Sequence, residues 1–232
     1  IIDGFEEEIR LFTFAPELTG AKDIISWLDD IRAIPSIGHS NSNYEKSLSF
    51  VDSGVSSFTH LFNGMKGFHH REPGTVGAAL NSASFVGLIT DGLHVSPGAV
   101  KLTERTKGSK QICLVTDAIA ATGLDDGRHT LGDQEVIVKD GLPRLENGTI
   151  AGSTLTLEKA VKNYLKFTRA DLVEAIQTVT LNPAKLLGLE EKIGTLKIGS
   201  KADLVMLDKD LEVRYTIFNG EVVYNNESES KK

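Results

Sequence analysis

The chain has a single cysteine, Cys113, among 232 residues. No disulfide framework can hold it together, and this sparing use fits a reducing, cytoplasmic compartment. Cys113 lies inside the apolar run QICLVTDA (111–118), where it reads as a small buried hydrophobe. No apolar stretch approaches the roughly 20 residues that a membrane span needs. No secretory signal opens the sequence. Acidic residues outnumber basic ones, 32 to 25, and the formal net charge is −7. No block of Lys and Arg exists, which argues against nucleic acid or a membrane surface as a partner. Any anion must be gripped by a few placed groups. An initiating Met is also missing. The chain begins Ile1-Ile2-Asp3 and reaches a site-like motif by Glu17, so native sequence is expected upstream. The closing NNESESKK (225–232) is polar and charged and reads as a disordered tail.

With 40% apolar residues the chain can build one sizeable core. Short apolar runs alternate with helical patterns. Strands are expected at 10–17, 34–40, 56–62, 84–95 and 111–121. Helices are expected at 22–33, 43–54 (closed by Gly54) and 100–108, from apolar residues at helical spacing and from glycine stops. Residues 63–77 read as a glycine-containing loop. A polar stretch at 129–150 carries its own strand pairs, with Lys-Asp-Gly and Glu-Asn-Gly as turn signals. Helices follow at 155–168 and 170–180, and Asn182-Pro183 opens a short one with Asn as its cap. Residues 194–225 are strand and turn. Such alternation implies parallel strands with helical crossovers. Five units are visible, so an eight-stranded barrel would need three more upstream. A doubly wound open sheet is the alternative.

Each of the five expected parallel strands ends in reactive side chains: Glu17, His39, His60, Asp91 with His94, and Asp117. Catalytic groups of such barrels sit at the carboxyl ends of the strands. Singly, each residue reads as a helix cap or a strand-end hydrogen bond. Jointly, one carboxylate and two imidazoles are a usual donor set for a catalytic zinc with an open position for water. Asp117, beside such a water, is suited to take its proton and pass it to a leaving amine. Arg71 and His94 are candidates for an anion site, because the guanidinium fork matches phosphate; a plain surface charge is the competing reading of Arg71. Asn63 and Gly64 could hydrogen-bond a phosphate or sugar oxygen. His69 and His70 are adjacent and read as loop residues, His129 as exposed, and Trp27 as packed against the sheet.

The motifs FAPE (14–17), GHS (38–40), THLFNGM (59–65), HREPG (70–74), DGLHV (91–95), LVTDA (114–118), ENGTIAGSTLTL (146–157) and TLNPAKLLGL (180–189) together resemble the N-acetylglucosamine-6-phosphate deacetylases of the amidohydrolase superfamily. GTLKIGSKADLV (194–205) is similar to the tail segment of many amidohydrolases. The resemblance implies that Glu17, His39 and His60 bind a divalent metal, zinc foremost, with iron among the other candidates. It implies Asp117 as general acid and base. Asn63, Gly64, Arg71, Asp91 and His94 are the implied substrate contacts, with Arg71 and His94 on the phosphate. Ile150, Ala151 and Gly152 match a segment that closes over the sugar. The implied reaction is hydrolysis of the acetamido group of N-acetylglucosamine 6-phosphate.

The implied fold is an α/β, TIM-type (β/α) barrel, represented by its last five units over 1–190 with the β insertion at 129–150. A portion of a small β-sandwich follows over 191–225, then the tail over 226–232. A homodimer in which a neighbouring subunit lends the arginine is implied for the full-length form. The first barrel strands, which can carry a His-x-His pair and a further histidine for the acetyl carbonyl, are absent. The chain alone is therefore expected to be poorly active and to associate through open edges. Two rivals stand beside this reading: another amidohydrolase acting on a cyclic amide, and an inactive fragment that retains a sugar-phosphate pocket.

Overall fold

The computed structural model describes residues 4–226; the tail expected at 226–232 lies, beyond Asn226, outside the described residues. Five short strands form the main sheet: β1 (Leu11–Phe14), β2 (Ile34–Ile37), β3 (Ser57–Phe58), β4 (Phe85–Leu88) and β5 (Ile112–Leu114). They are parallel and lie side by side in chain order. An open doubly wound sheet reverses its order at a switch point. These five strands do not. Ile37, Phe58, Val86, Leu88 and Ile112 are fully buried and form the centre of the core. Each such side chain contributes roughly 1.5–3 kcal/mol on burial.

The crossovers are helical: α1 (Ala21–Asp30), α2 (Tyr44–Asp52), α3 (Gly74–Asn81) and α4 (Pro97–Lys107). Local chemistry fixes their ends. Asn43 caps α2 by accepting from the Lys46 N–H. Ser96 caps α4 with Pro97 in its first turn, and Gly108 stops it at φ 70°. Trp27 of α1 meets Phe12 of β1 edge-on, with ring centres 5.9 Å apart. Cys113 is buried in β5, and burial pushes its thiol up to about 12.

Helix α3 departs from the sequence expectation, which left its first residues in a loop. The reason is physical: Gly74 to Ala79 are all buried, so the helix has no polar face and no amphipathic period to read. The strand expected at 56–62 shortens to two residues because the chain turns sharply at His60. Asn182 also differs from expectation. It does not cap α7 (Leu181–Leu186), where Thr180 holds the cap position. Its buried amide donates instead to the carbonyls of Ser109 and Ile112, at 2.8 and 2.7 Å. Those bonds tie α7 to the start of β5.

Helices α5 (Leu157–Phe167) and α6 (Leu172–Gln177) complete the helical layer, and a capping box of Asp171 and Glu174 opens α6. Two antiparallel sheets stand apart from the main one. The first joins β6 (Gly127–Leu131), β7 (Gln134–Lys139) and β8 (Leu142–Leu145) around a small core of Val136, Val138, Ile119, Ala121 and Ala151. His129 lies in β6, half-buried, with Nε2 3.0 Å from the Asp125 carbonyl. The second joins β9 (Leu204–Leu207), β10 (Val213–Phe218) and β11 (Glu221–Asn225). Its strands begin later than the sequence implied, since residues 194–203 are turn and irregular backbone. Lys162 of α5 reaches Glu212 just before β10, at 2.5 Å.

Lys107 ends α4 buried, and its Nζ donates to the carbonyls of Ala79 and Ser82 at the end of α3, 3.0 and 2.6 Å away. Burial lowers its pKa from 10.5 to about 8. The unfolded chain therefore binds more protons than the folded one between those values, and stability from this group rises with pH across the window. Burial raises Cys113 and Tyr164 in the same range and opposes that trend. The expected outcome is thus a difference: denaturant unfolding of wild type minus Lys107→Met climbs between pH 8 and about 10.5. A flat difference contradicts it.

Candidate active site

Three of the reactive residues sit where the backbone is left-handed: His39 at φ 48°, His60 at 31° and Asp117 at 51°. Each lies just past the end of a strand, respectively β2, β3 and β5. Left-handed backbone costs a residue with a Cβ roughly 1–2 kcal/mol. Its recurrence at three exits of one sheet edge points to function. Packing behind the turns holds them. A Cβ on Gly38 would lie 2.6 Å from Thr13 Cγ2 and 2.9 Å from Thr59 Cβ. Below it, Thr59 Oγ1 hydrogen-bonds Thr13 and Ser36, at 2.8 and 2.7 Å.

The two turns bring His39 and His60 together. Their Nε2 atoms are 2.9 Å apart and the rings meet edge-on with centres 4.6 Å apart. His60 is buried, and its Nδ1 has no hydrogen-bond partner. Burial first, and the charge of His39 next, hold the His60 imidazole below its ordinary pKa, while the charge of Asp117 pulls the other way. His60 is thereby kept neutral, which is the form that ligates metals. Glu17 follows β1. Burial pushes its carboxyl up, but hydrogen bonds from Ser40 and the Asn41 N–H outweigh that and hold it below the usual value. The distances are 2.7 Å from Ser40 Oγ to Oε2 and 2.6 Å from Asn41 N to Oε1.

Asp117 is exposed beyond β5. Its backbone carbonyl accepts from the Ser153 N–H at 2.7 Å, and the Ser153 carbonyl accepts from the Ile119 N–H at 2.9 Å. The segment 150–153 therefore lies against the Asp117 turn. Gly152 (φ 64°) is required there, because a Cβ would stand 2.4 Å from Ile119 Cγ2. Ala151 is buried, and Ile150 bridges to Arg144.

After β4, His94 Nδ1 stands 2.6 Å from Asp91 Oδ2, with both side chains largely buried. Asp91 Oδ1 accepts from the N–H groups of Leu93 and His94. Burial raises the Asp91 carboxyl, but these hydrogen bonds hold it below its ordinary value. An anionic Asp91 fixes the proton on Nδ1 and leaves His94 Nε2 to meet a ligand. Asn63 donates its side-chain amide to the carbonyls of His60 and Leu61, so those protons hold the turn. Arg71 is exposed, and its guanidinium lies 2.9 Å from His70 Nε2. The His69 and His70 rings lie against each other, tilted by 39°, with centres 4.3 Å apart.

Among the described residues, no three His, Cys, Asp or Glu side chains gather into a group that could hold a metal ion as they stand. The donor chemistry nevertheless fits one: two imidazole nitrogens converge, one ring is held neutral, and an anionic carboxylate is anchored to the two residues that follow His39. The clamp on Glu17 is the feature that the sequence did not reveal. Its available signal was the position of Ser40 directly after His39. Gly64 stands close behind His39, where a Cβ would lie 2.7 Å from Nδ1, and its φ is 60°. Gly64→Ala is expected to displace the His39 ring and to cost about 1–3 kcal/mol of stability. Denaturant unfolding and the His39 ring resonances check this; an unchanged midpoint and spectrum contradict it.

Residues 28–223 match the amidohydrolase family model. The chain is 41% identical to an N-acetylglucosamine-6-phosphate deacetylase of Bos taurus, over 97% of this chain and 56% of that protein. It is 38% identical to an N-acetylgalactosamine-6-phosphate deacetylase of Escherichia coli, over 94% and 58%. A solved N-acetylglucosamine-6-phosphate deacetylase from Thermotoga maritima superposes with a TM-score of 0.90 at 44% identity, over 94% of this chain and 60% of that one. The chain thus spans little more than half the length of the curated relatives it matches. Its match to the family model over most of its length establishes that the chain belongs to the amidohydrolase family.

Proposed function

We propose that the chain forms the site-bearing part of a metal-dependent deacetylase acting on N-acetylglucosamine 6-phosphate. The observation that carries this reading is the meeting of His39 and His60 Nε2, 2.9 Å apart, at neighbouring strand exits whose electrostatics Asp117 shares. The five sequential parallel strands are then consecutive staves of a (β/α) barrel over 1–190. The sheet β9–β10–β11 is part of a small β-sandwich over 191–225, and the full-length protein is a cytoplasmic homodimer.

Glu17, His39 and His60 would hold a divalent cation of the zinc class, which supplies Lewis acidity and lowers the pKa of water to about 7. Asp117 accepts the proton of the attacking water. The water oxygen bonds the acetamide carbon, the C–N bond breaks, and Asp117 returns the proton to the departing nitrogen. Acetate and the free amino sugar phosphate leave. His94, oriented by Asp91, and Arg71, exposed on its loop, bind the distal phosphate. Such remote binding positions the reacting bond. Asn63 and Gly64 line the same turn as His60, and 150–152 cover the sugar.

A second reading keeps the reaction and changes the sugar epimer to N-acetylgalactosamine 6-phosphate, favoured by the 38% identity to a relative with that name. Acetate release from the two sugar phosphates by the full-length protein separates them. Faster turnover of the gluco substrate is the expected result. Asp117→Asn is expected to lower kcat by ~10²–10⁴ with little change in KM. Arg71→Ala is expected to raise KM for the phosphorylated sugar and leave the unphosphorylated one unaffected. Full activity in Asp117→Asn overturns the assignment of the acid and base.

A further inference from the structure

Ser40 is fully buried and directly follows His39 at the exit of β2. Its single proton has one destination. A carboxylate accepts and cannot donate, so Ser40 Oγ must donate to Glu17 Oε2, 2.7 Å away. The lone pairs of Ser40 are then free to accept, and the Ser42 N–H donates to one of them at 3.1 Å. Thr75 Oγ1, also fully buried, lies 3.3 Å from the same oxygen and donates to the Ser42 carbonyl at 3.2 Å. Thr75 stands in the first turn of α3, four residues after Arg71. The Asn41 N–H holds the other carboxylate oxygen. Both donors to Glu17 therefore belong to the two residues that follow His39, and each oxygen keeps a lone pair for a cation.

We propose that Ser40 is a positioning residue that fixes the Glu17 carboxylate beside His39 for metal binding, with Thr75 holding the Ser40 turn against the start of α3. This deepens the reading of Glu17 as a ligand and rests on it. Groups that orient a metal ligand typically change affinity by 10- to 100-fold when removed. Ser47 supplies an internal control. It is equally buried and lies 3.3 Å from Thr75 Oγ1, but has no hydrogen bond to Glu17. A purely structural role predicts similar effects from losing either hydroxyl.

The test is zinc affinity of the 232-residue chain, measured by competition with a chromophoric chelator, together with the unfolding midpoint of the metal-free protein. Ser40→Ala is expected to weaken zinc binding by about 10- to 100-fold. Ser47→Ala is expected to leave the affinity unchanged, and Glu17→Ala to abolish tight binding. Should Ser40→Ala fail to fold, Ser40→Thr and Ser40→Val give a pair of equal volume, in which only the hydroxyl-bearing threonine retains affinity. Wild-type affinity in Ser40→Ala, or in Ser40→Val, with binding lost in Glu17→Ala overturns the role of Ser40 and leaves the ligand reading standing. Equal losses in Ser40→Ala and Ser47→Ala also overturn it. Unchanged affinity in Glu17→Ala, or no zinc held by the wild-type chain, overturns both.

Discussion

The parallel register of five strands in chain order is the constraint on which everything else rests. Parallel strands laid side by side deliver all their carboxyl ends to one edge of the sheet. Whatever follows each strand must gather there, and in this chain the residues that follow are Glu17, His39, His60, the Asp91–His94 pair and Asp117. The core beneath is built largely from apolar side chains, with Phe58, Leu88 and Ile112 fully buried. That core makes the edge rigid enough to carry strained turns. Left-handed backbone at His39, His60 and Asp117 turns the chain sharply just after each strand ends, and it brings the two imidazoles together. The close approach of Gly38 to Thr13 and Thr59 leaves the His39 turn little room to relax.

Around this edge, polar contacts decide which chemical form each side chain takes. Hydrogen bonds keep Glu17 and Asp91 anionic against the pull of burial, and burial keeps His60 neutral. Anionic carboxylates and a neutral imidazole are the forms in which these side chains ligate a divalent cation. The exposed Arg71 loop leads directly into α3, and α3 is tied at its start, through the Thr75 hydroxyl, to the Ser42 carbonyl and at its end to Lys107. The groups read as binding the phosphate and those read as binding the metal are in this way mounted on shared, buried supports.

Much of this was legible in the sequence because it depends on short-range pattern. Strand–helix alternation gave the parallel sheet, and a reactive residue after each apolar run marked the exits. The helix at Gly74–Asn81 was not legible, because burial on all sides removes the amphipathic period by which a helix is recognised. The clamp on Glu17 was not legible either. It exists only once β1 and β2 pair in register, Phe14 against Ile37, and set Glu17 beside the Ser40 turn. Asn182 was misread because asparagine before proline is a usual cap signal. Its amide instead donates to the carbonyls of Ser109 and Ile112 and so binds α7 to the start of β5.

The central claim is that His39 and His60 act as a pair on one cation with Glu17. The most direct measurement is the zinc K-edge X-ray absorption spectrum of the zinc-loaded chain. The account predicts a first shell of nitrogen and oxygen at about 2.0–2.2 Å, with outer-shell scattering from two imidazoles that drops to one in His60→Ala. A spectrum without imidazole scattering, or one unchanged by His60→Ala, would contradict it.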